Sequence, residues 1–292
     1  MALTRIKYIA FAHFCNRQGH KLSRDKGNGL QGGIWYTLIM TGKTKTENCA
    51  VCGVPLQYAS TARELACGVC GGKESANIVC PDGHYICDSC HGADAKKMIR
   101  EMALLTLETD PLRIAMAMFS QPVLPMLGCE HAYIAAGAFM SALKNQGRVR
   151  ITNEDLDEAF GRLGRQAAGG YCGLTGVCGV VPAIGACISI LYGSKCGKDM
   201  EQRLTMEAVT KVASEILGLT GPSCCKAYTL AGLGVAADFL KEAAGISLPV
   251  QDRAPKCLWS ARHPHGCRRG KCPYFDHESL SLSKPAANGG SC

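Results

Sequence analysis

"GPSCCKAYTLAGLGVAADFLKEAAG", residues 221–245, decides how this chain is to be read. A Gly-Pro pair breaks the backbone, two cysteines and a lysine follow, and small and apolar residues then run on to a closing glycine. Glycine and proline punctuate, so the uninterrupted run after them predicts a helix with a glycine C-cap. Its many small residues let other helices or backbone come close, which marks it as buried. The same layout occurs in "GCEHAYIAAGAFMSAL" (128–143) and "GVCGVVPAIGACIS" (176–189), where a cysteine stands at a break and a small-residue helix follows.

Between these lie ordinary amphipathic helices. "ADAKKMIREMALLTLE" (93–108) has apolar residues at helical spacing. "TNEDLDEAFGRLGRQA" (152–167) opens on a polar cap and an acidic first turn, as the helix dipole favours. "DMEQRLTMEAVTKVASEILG" (199–218) ends in glycine. The expected fold is mainly α: a basic segment at 1–48, partly disordered; a Cys/His module at 49–92; a glycine-rich helical domain at 93–248; and a basic Cys/His tail at 249–292.

Composition narrows the class. Hydrophobic content of 47% and charge of 19% describe a globular chain. Nineteen cysteines, many in C-x-x-C pairs, are better placed to grip metal than to pair as disulfides. The N-terminus lacks a signal-peptide pattern, and the longest apolar run, Val177 to Tyr192, falls short of the roughly 20 residues of a membrane span. A reducing cytoplasm and no membrane partner are therefore expected. The net charge of +8 sits at the two ends, which reads either as solubilising tails or as a grip on RNA or a partner enzyme.

In the module the spacing runs Cys49-x2-Cys52, Cys67-x2-Cys70, Cys80-x3-His84, Cys87-x2-Cys90, eight N/S ligands for two tetrahedral zinc ions. The pattern resembles treble-clef and cross-brace modules. That resemblance implies Cys67, Cys70, Cys87 and Cys90 at one ion and Cys49, Cys52, Cys80 and His84 at the other. Four complete pairs leave no open position, so the zinc is structural, and His91 is a surface neighbour.

The tail, "CLWSARHPHGCRRGKCPYFDH" (257–277), places Cys257, Cys267, Cys272 and His277 in a Cys-Cys-Cys-His order that resembles zinc fingers binding single-stranded RNA. A third zinc site follows from that resemblance. Trp259, Tyr274 and Phe275 among Arg262, Arg268, Arg269 and Lys271 supply the stacking and phosphate contacts such binding uses.

Three thiolates converging at helix entrances suit an iron–sulfur cluster with one iron free to act as a Lewis acid. The segment at Cys129 resembles a helix start of L-cysteine desulfidases, as does "GPSCCKAYTLAG"; "GVCGVVPAI" resembles a segment of the iron–sulfur L-serine dehydratase α chain. This implies a [4Fe-4S] cluster held by Cys129, Cys178 and Cys224, with Cys225 the alternate for the last. The region from Cys49 to about Leu248 also resembles an uncharacterised cysteine-rich domain family of anaerobic archaea and bacteria, domain of unknown function 5714. Its marks are "GHYICDSCH", a Gly-x-Glu-His helix start, a Gly-x-Cys-Gly segment and "GPSCCK". Members commonly carry Pro where Cys129 stands, which raises Glu130 and His131 as functional groups.

Two readings stand for those residues: proton transfer or iron binding, against a helix cap and a hydrogen-bonded core histidine. Lys226 is either an anion binder or a surface lysine. Cys172, in the loop "GGYCGLTG", is a candidate relay thiol, whereas Cys187 and Cys196 read as packing. The functional expectation is an iron–sulfur non-redox lyase or sulfur-transfer enzyme, acting on a small thiol, an amino acid, or a sulfur-containing cofactor or tRNA base. The alternative is a zinc scaffold that binds RNA or protein without catalysis.

Overall fold

A computed structural model describes residues 48–49, 51–87 and 90–277. The expectation for the basic segment 1–48 lies, but for Asn48, outside the described residues. Within them the protein is mainly α, with one hairpin in front of a helical body.

The hairpin pairs β1 (Gln57–Ala66) with β2 (Lys73–Val79), antiparallel, in the register Gln57↔Val79 to Ala66↔Lys73 with an irregularity between Tyr58 and Arg63. Cys67 N–H donates to Gly72 O at 2.8 Å and Gly71 N–H to Cys67 O at 2.9 Å, closing a turn that holds Cys67 and Cys70. Most of β1 is exposed. Two strands with so little buried surface have no core of their own.

Among the described residues eight α-helices follow: α1 (Ala93–Leu105), α2 (Pro111–Phe119), α3 (Glu130–Gln146), α4 (Asn153–Leu163), α5 (Tyr171–Thr175), α6 (Val180–Tyr192), α7 (Asp199–Gly218) and α8 (Cys225–Ala244). Helix α3 is the axis. Every residue from Glu130 to Leu143 is buried, and α1, α2, α4, α6 and α8 pack around it. Burial on all sides explains why α3 lacks an amphipathic stripe and why small residues dominate it. Helices α6 and α8 are similar, whereas α7 buries only Ala208 and Val212 and covers the outside of both.

Local chemistry sets the boundaries. Thr152 accepts from Asp155 N–H while the Asp155 carboxylate takes the Thr152 N–H, a reciprocal cap on α4. The buried Asp110 carboxylate accepts from Leu112 and Arg113 N–H at the start of α2, and from Gln251 N–H after α8. Helix α1 stops at Leu105, short of the expected 93–108, because Asn145 Nδ2 captures the carbonyls of Thr106 and Glu108 at 2.9 and 2.8 Å. Pro182 sits in the first turn of α6, where no N–H is needed. Sequence reading did not foresee α2, a short helix whose buried face carries Leu112, Met118 and Phe119. Among the described residues no helix is long and apolar enough to cross a membrane.

The tail folds back onto this body. Cys257 N–H donates to Tyr274 O at 2.7 Å, and Trp259 meets Phe119 edge-on at 5.7 Å.

Close approach is strictest at Gly232 in α8. A Cβ there would lie 2.6 Å from Val180 Cγ1 of α6 and 3.4 Å from Val212 Cγ1 of α7, whereas one on Gly234 would meet nothing within 4 Å. Gly232→Ala should therefore destabilise the protein by about 1–3 kcal/mol through overpacking. Gly234→Ala should stabilise it by up to about 1 kcal/mol through helix propensity. Paired denaturant titrations check the opposite signs.

Candidate metal centres and the entrance of helix α8

The N-terminal module gathers two quartets. Cys49, Cys52, Cys80 and His84 form one, Cys67, Cys70, Cys87 and Cys90 the other, each with all ligand atoms within 4.8 Å of one another. Cys52 and Cys80 sulfurs are 3.6 Å apart, Cys70 and Cys87 sulfurs 3.7 Å, and Cys80 Sγ lies 3.7 Å from His84 Nδ1. A zinc–thiolate bond of about 2.3 Å gives a tetrahedral edge of about 3.8 Å, so both quartets have the span of one metal ion.

Each quartet takes one pair from before the hairpin or its turn and one from after it, the alternation a cross-brace needs. Amides face the sulfurs: Val51 N–H donates to Cys49 Sγ at 3.4 Å, Val69 N–H to Cys67 Sγ at 3.4 Å and Cys87 N–H to the same sulfur at 3.3 Å. Backbone donors at Cys70 and Cys87 bring the Cys67 thiol down to about 6. Its neighbours Cys87 and Cys70 push the Cys90 thiol up to about 12. A lowered Cys67 thiol beside raised Cys87 and Cys90 thiols is how crowded sulfurs behave until a cation joins them.

At the entrance of α8 the adjacent cysteines turn apart. Cys224 is the N-cap, in extended backbone, and Cys225 is the first helical residue. Cys225 Sγ accepts from Gly128 N–H at 3.5 Å. Burial raises its pKa, and the charges of Cys178, Cys172 and Cys224 add to that. Cys178, half-buried before α6, is pushed up to about 11 by burial, with Cys172 contributing. Cys129 caps α3 next to the Gly128 amide and packs against the core. Cys172, on α5, is exposed. The breaks before α3, α6 and α8 thus face one another around Cys225 and Cys178.

Cys224 goes the other way. It lines a cavity of about 470 Å³, counted with its open mouth, together with Lys226, Cys257, Cys267, Arg268 and Cys272. His277, expected beside the three tail cysteines, does not line that cavity and instead stands edge-on to Phe275 at 5.1 Å. Trp259, Tyr274 and Phe275 are only 6–7% exposed, so their faces are not open to unpaired bases.

Glu130, His131 and Lys226 are all buried, and they divide between the two ends of the molecule. His131 Nδ1 donates to Gly128 O at 3.2 Å, which leaves Nε2 to accept from Lys226 Nζ at 3.1 Å. Burial and then the Lys226 charge take the imidazole down to about 3, so it is neutral. Lys226 Nζ lies 4.7 Å from the Phe119 ring centroid and 5.0 Å from that of Trp259, and burial lowers its pKa to about 8. Glu130 turns to the metal module instead: its Oε1 is 3.7 Å from His91 Nδ1, and its Oε2 has no hydrogen-bond partner. It is wedged so tightly that a Cβ on Gly92 or Gly128 would fall 2.0 or 2.1 Å from its oxygens.

Sequence reading singled out Cys172 but not the Gly128 amide at Cys225, and read Arg268 only as a surface contact. Arg268 sits in a basic run that looks uniformly solvated; its burial follows from the tail folding onto α8.

A family model described as a family of unknown function, DUF5714, matches residues 99–275. That span takes in the three helix entrances and all four cysteines of the cavity, and excludes both N-terminal quartets and His277. No curated protein and no solved structure matches the chain.

The N-terminal quartets should bind two divalent ions per chain. Cys87→Ala should remove one of them by elemental analysis. Because the exposed hairpin depends on its ligands, a strong chelator should melt residues 49–90 while helical circular dichroism persists.

Proposed function

Because the chain belongs to the DUF5714 family, which carries no assigned activity, we propose its function from the site alone: a cytoplasmic iron–sulfur enzyme of the non-redox lyase or sulfur-transfer type, with two structural zinc ions. Its substrate class is a small thiol or amino acid, or a sulfur-containing cofactor or tRNA base. Cys129, Cys178 and Cys225 would hold the cluster. The observation that carries this reading is the Gly128 amide donating to Cys225 Sγ where the entrances of α3, α6 and α8 adjoin, near enough for the charges of Cys178 and Cys172 to act on that sulfur.

The residues fit such a group. They are soft thiolate donors, half-buried, with an amide directed at one sulfur. A cluster held by three cysteines supplies, when bound, an iron with a free coordination position. The chain's own residues do the rest. Gly128 N–H favours the Cys225 thiolate. Cys172 is an exposed thiol near that centre, placed to take sulfane sulfur from a persulfide donor by exchange, the donor leaving as its thiol. His131 and Lys226 hold the first turn of α8 in place, and with it the direction of Cys225. The binding-module alternative loses support because the tail aromatics needed for stacking are buried.

Anaerobically purified protein should be brown, with broad absorbance near 400 nm. Cys178→Ala and Cys225→Ala should each lose about four irons and four sulfides per chain, with zinc unchanged. Full iron in both variants refutes this site.

A further inference from the structure

Cys224, Cys257, Cys267 and Cys272 remain once the Cys225 centre is set aside, and they share one cavity. Two of them already carry the local geometry of the metal quartets. The N–H two residues on donates to the thiol at 3.4 Å for Cys257 and 3.3 Å for Cys267, matching 3.4 Å for Cys49 and for Cys67. That contact prepares a sulfur for negative charge.

Two cations face these thiols from within the protein. Arg268 is 8% exposed; its Nη2 donates to Pro222 O, while Nε and Nη1 have no hydrogen-bond partner. Lys226 is 3% exposed. No carboxylate lines the cavity to compensate them. His131 and the Phe119 and Trp259 rings hold Lys226, and Arg268 lies over the Tyr228 ring, but neither cation has a counter-anion here, so the cavity favours an anionic occupant. Such an occupant, ligated by cysteine, is a metal–thiolate centre.

Its size separates the candidates. The N-terminal quartets are drawn to the edge of a single tetrahedral ion, and among the described residues only those two groups are so close. The cavity cysteines are not drawn together in that way: no three of their sulfurs all lie within 4.8 Å of one another, so they stand wider apart than one tetrahedral ion holds its ligands. Histidine does not complete the set. His263 lines the cavity, but its Nε2 donates to Ser223 O at 3.0 Å and its Nδ1 takes the His265 N–H at 3.3 Å. The geometry points to a second [4Fe-4S] cluster, ligated by Cys224, Cys257, Cys267 and Cys272, with Arg268 and Lys226 balancing its charge. Four cysteine ligands leave no iron open, so this cluster staples the tail to α8 and holds charge rather than binding substrate. It does not depend on the Cys225 centre, although one peptide bond joins the two.

Anaerobic reconstitution of the full chain with ferrous iron and sulfide tests it. Cys224→Ser and Cys267→Ser should each lose about four irons, including in a Cys178→Ala background where the other centre is gone. Unchanged zinc in the same samples shows that the module remains folded. His277→Ala should keep all iron. Arg268→Gln should keep the cluster and lower its reduction potential, because a neighbouring cation favours the more negative reduced state. Loss of zinc instead of iron from Cys224→Ser, full iron in both serine variants, or iron loss in His277→Ala would each overturn the assignment.

Discussion

Lys226 lies in the first turn of α8 with its ammonium withdrawn from water, and the surrounding chain is arranged to accommodate it. A neutral imidazole from α3 accepts a hydrogen bond from it, and the rings of Phe119 and Trp259 present their electron-rich faces. Because these partners come from α2, α3 and the tail, solvating one cation clamps three segments onto α8. Cys224 and Cys225 immediately precede it. Fixing Lys226 therefore fixes the direction of both thiols, one toward the α3 and α6 entrances and the other toward the tail.

A second clamp sits one residue away. Successive helical residues point about 100° apart, so Glu130 faces the metal module where His131 faces the tail. The carboxylate fits only because Gly92 and Gly128 lack side chains, and both glycines have positive φ, at 74° and 152°. The N-terminus of α3 is thus the joint between two cysteine-rich ends. Its location explains an acid and an imidazole buried side by side in a helix otherwise made of small apolar residues.

Much of this was legible in the sequence. Glycine and proline breaks marked the starts of α3, α6 and α8, and the close Cys/His pairs at 49/52, 67/70, 80/84 and 87/90 anticipated which cysteines and histidine the structure gathers. What was not legible depended on long-range folding. Cys257, Cys267, Cys272 and His277 form a continuous finger-like pattern, so sequence spacing favoured His277 over a cysteine far upstream. Only the return of the tail across Phe119 places Cys224 among them. The buried tail aromatics went unread for the same reason: rings among arginines look like a nucleic-acid surface until the chain shows which side faces inward.

Charge links these observations. Four thiolates around a [4Fe-4S] core carry a net double negative charge, as do four around a zinc ion; Arg268 and Lys226 bring the matching two positive charges. Electrostatics alone thus calls for a metal–thiolate occupant without choosing it, and the space between the sulfurs makes the choice. The same balance bears on assembly. With no anion in the cavity, closing the tail buries Arg268 nitrogens that have no partner, which opposes docking. With the anion present, docking supplies two cations to it and removes Trp259 and Tyr274 from water. Tail closure and cofactor binding are then one coupled equilibrium, as in small domains that fold around their metal.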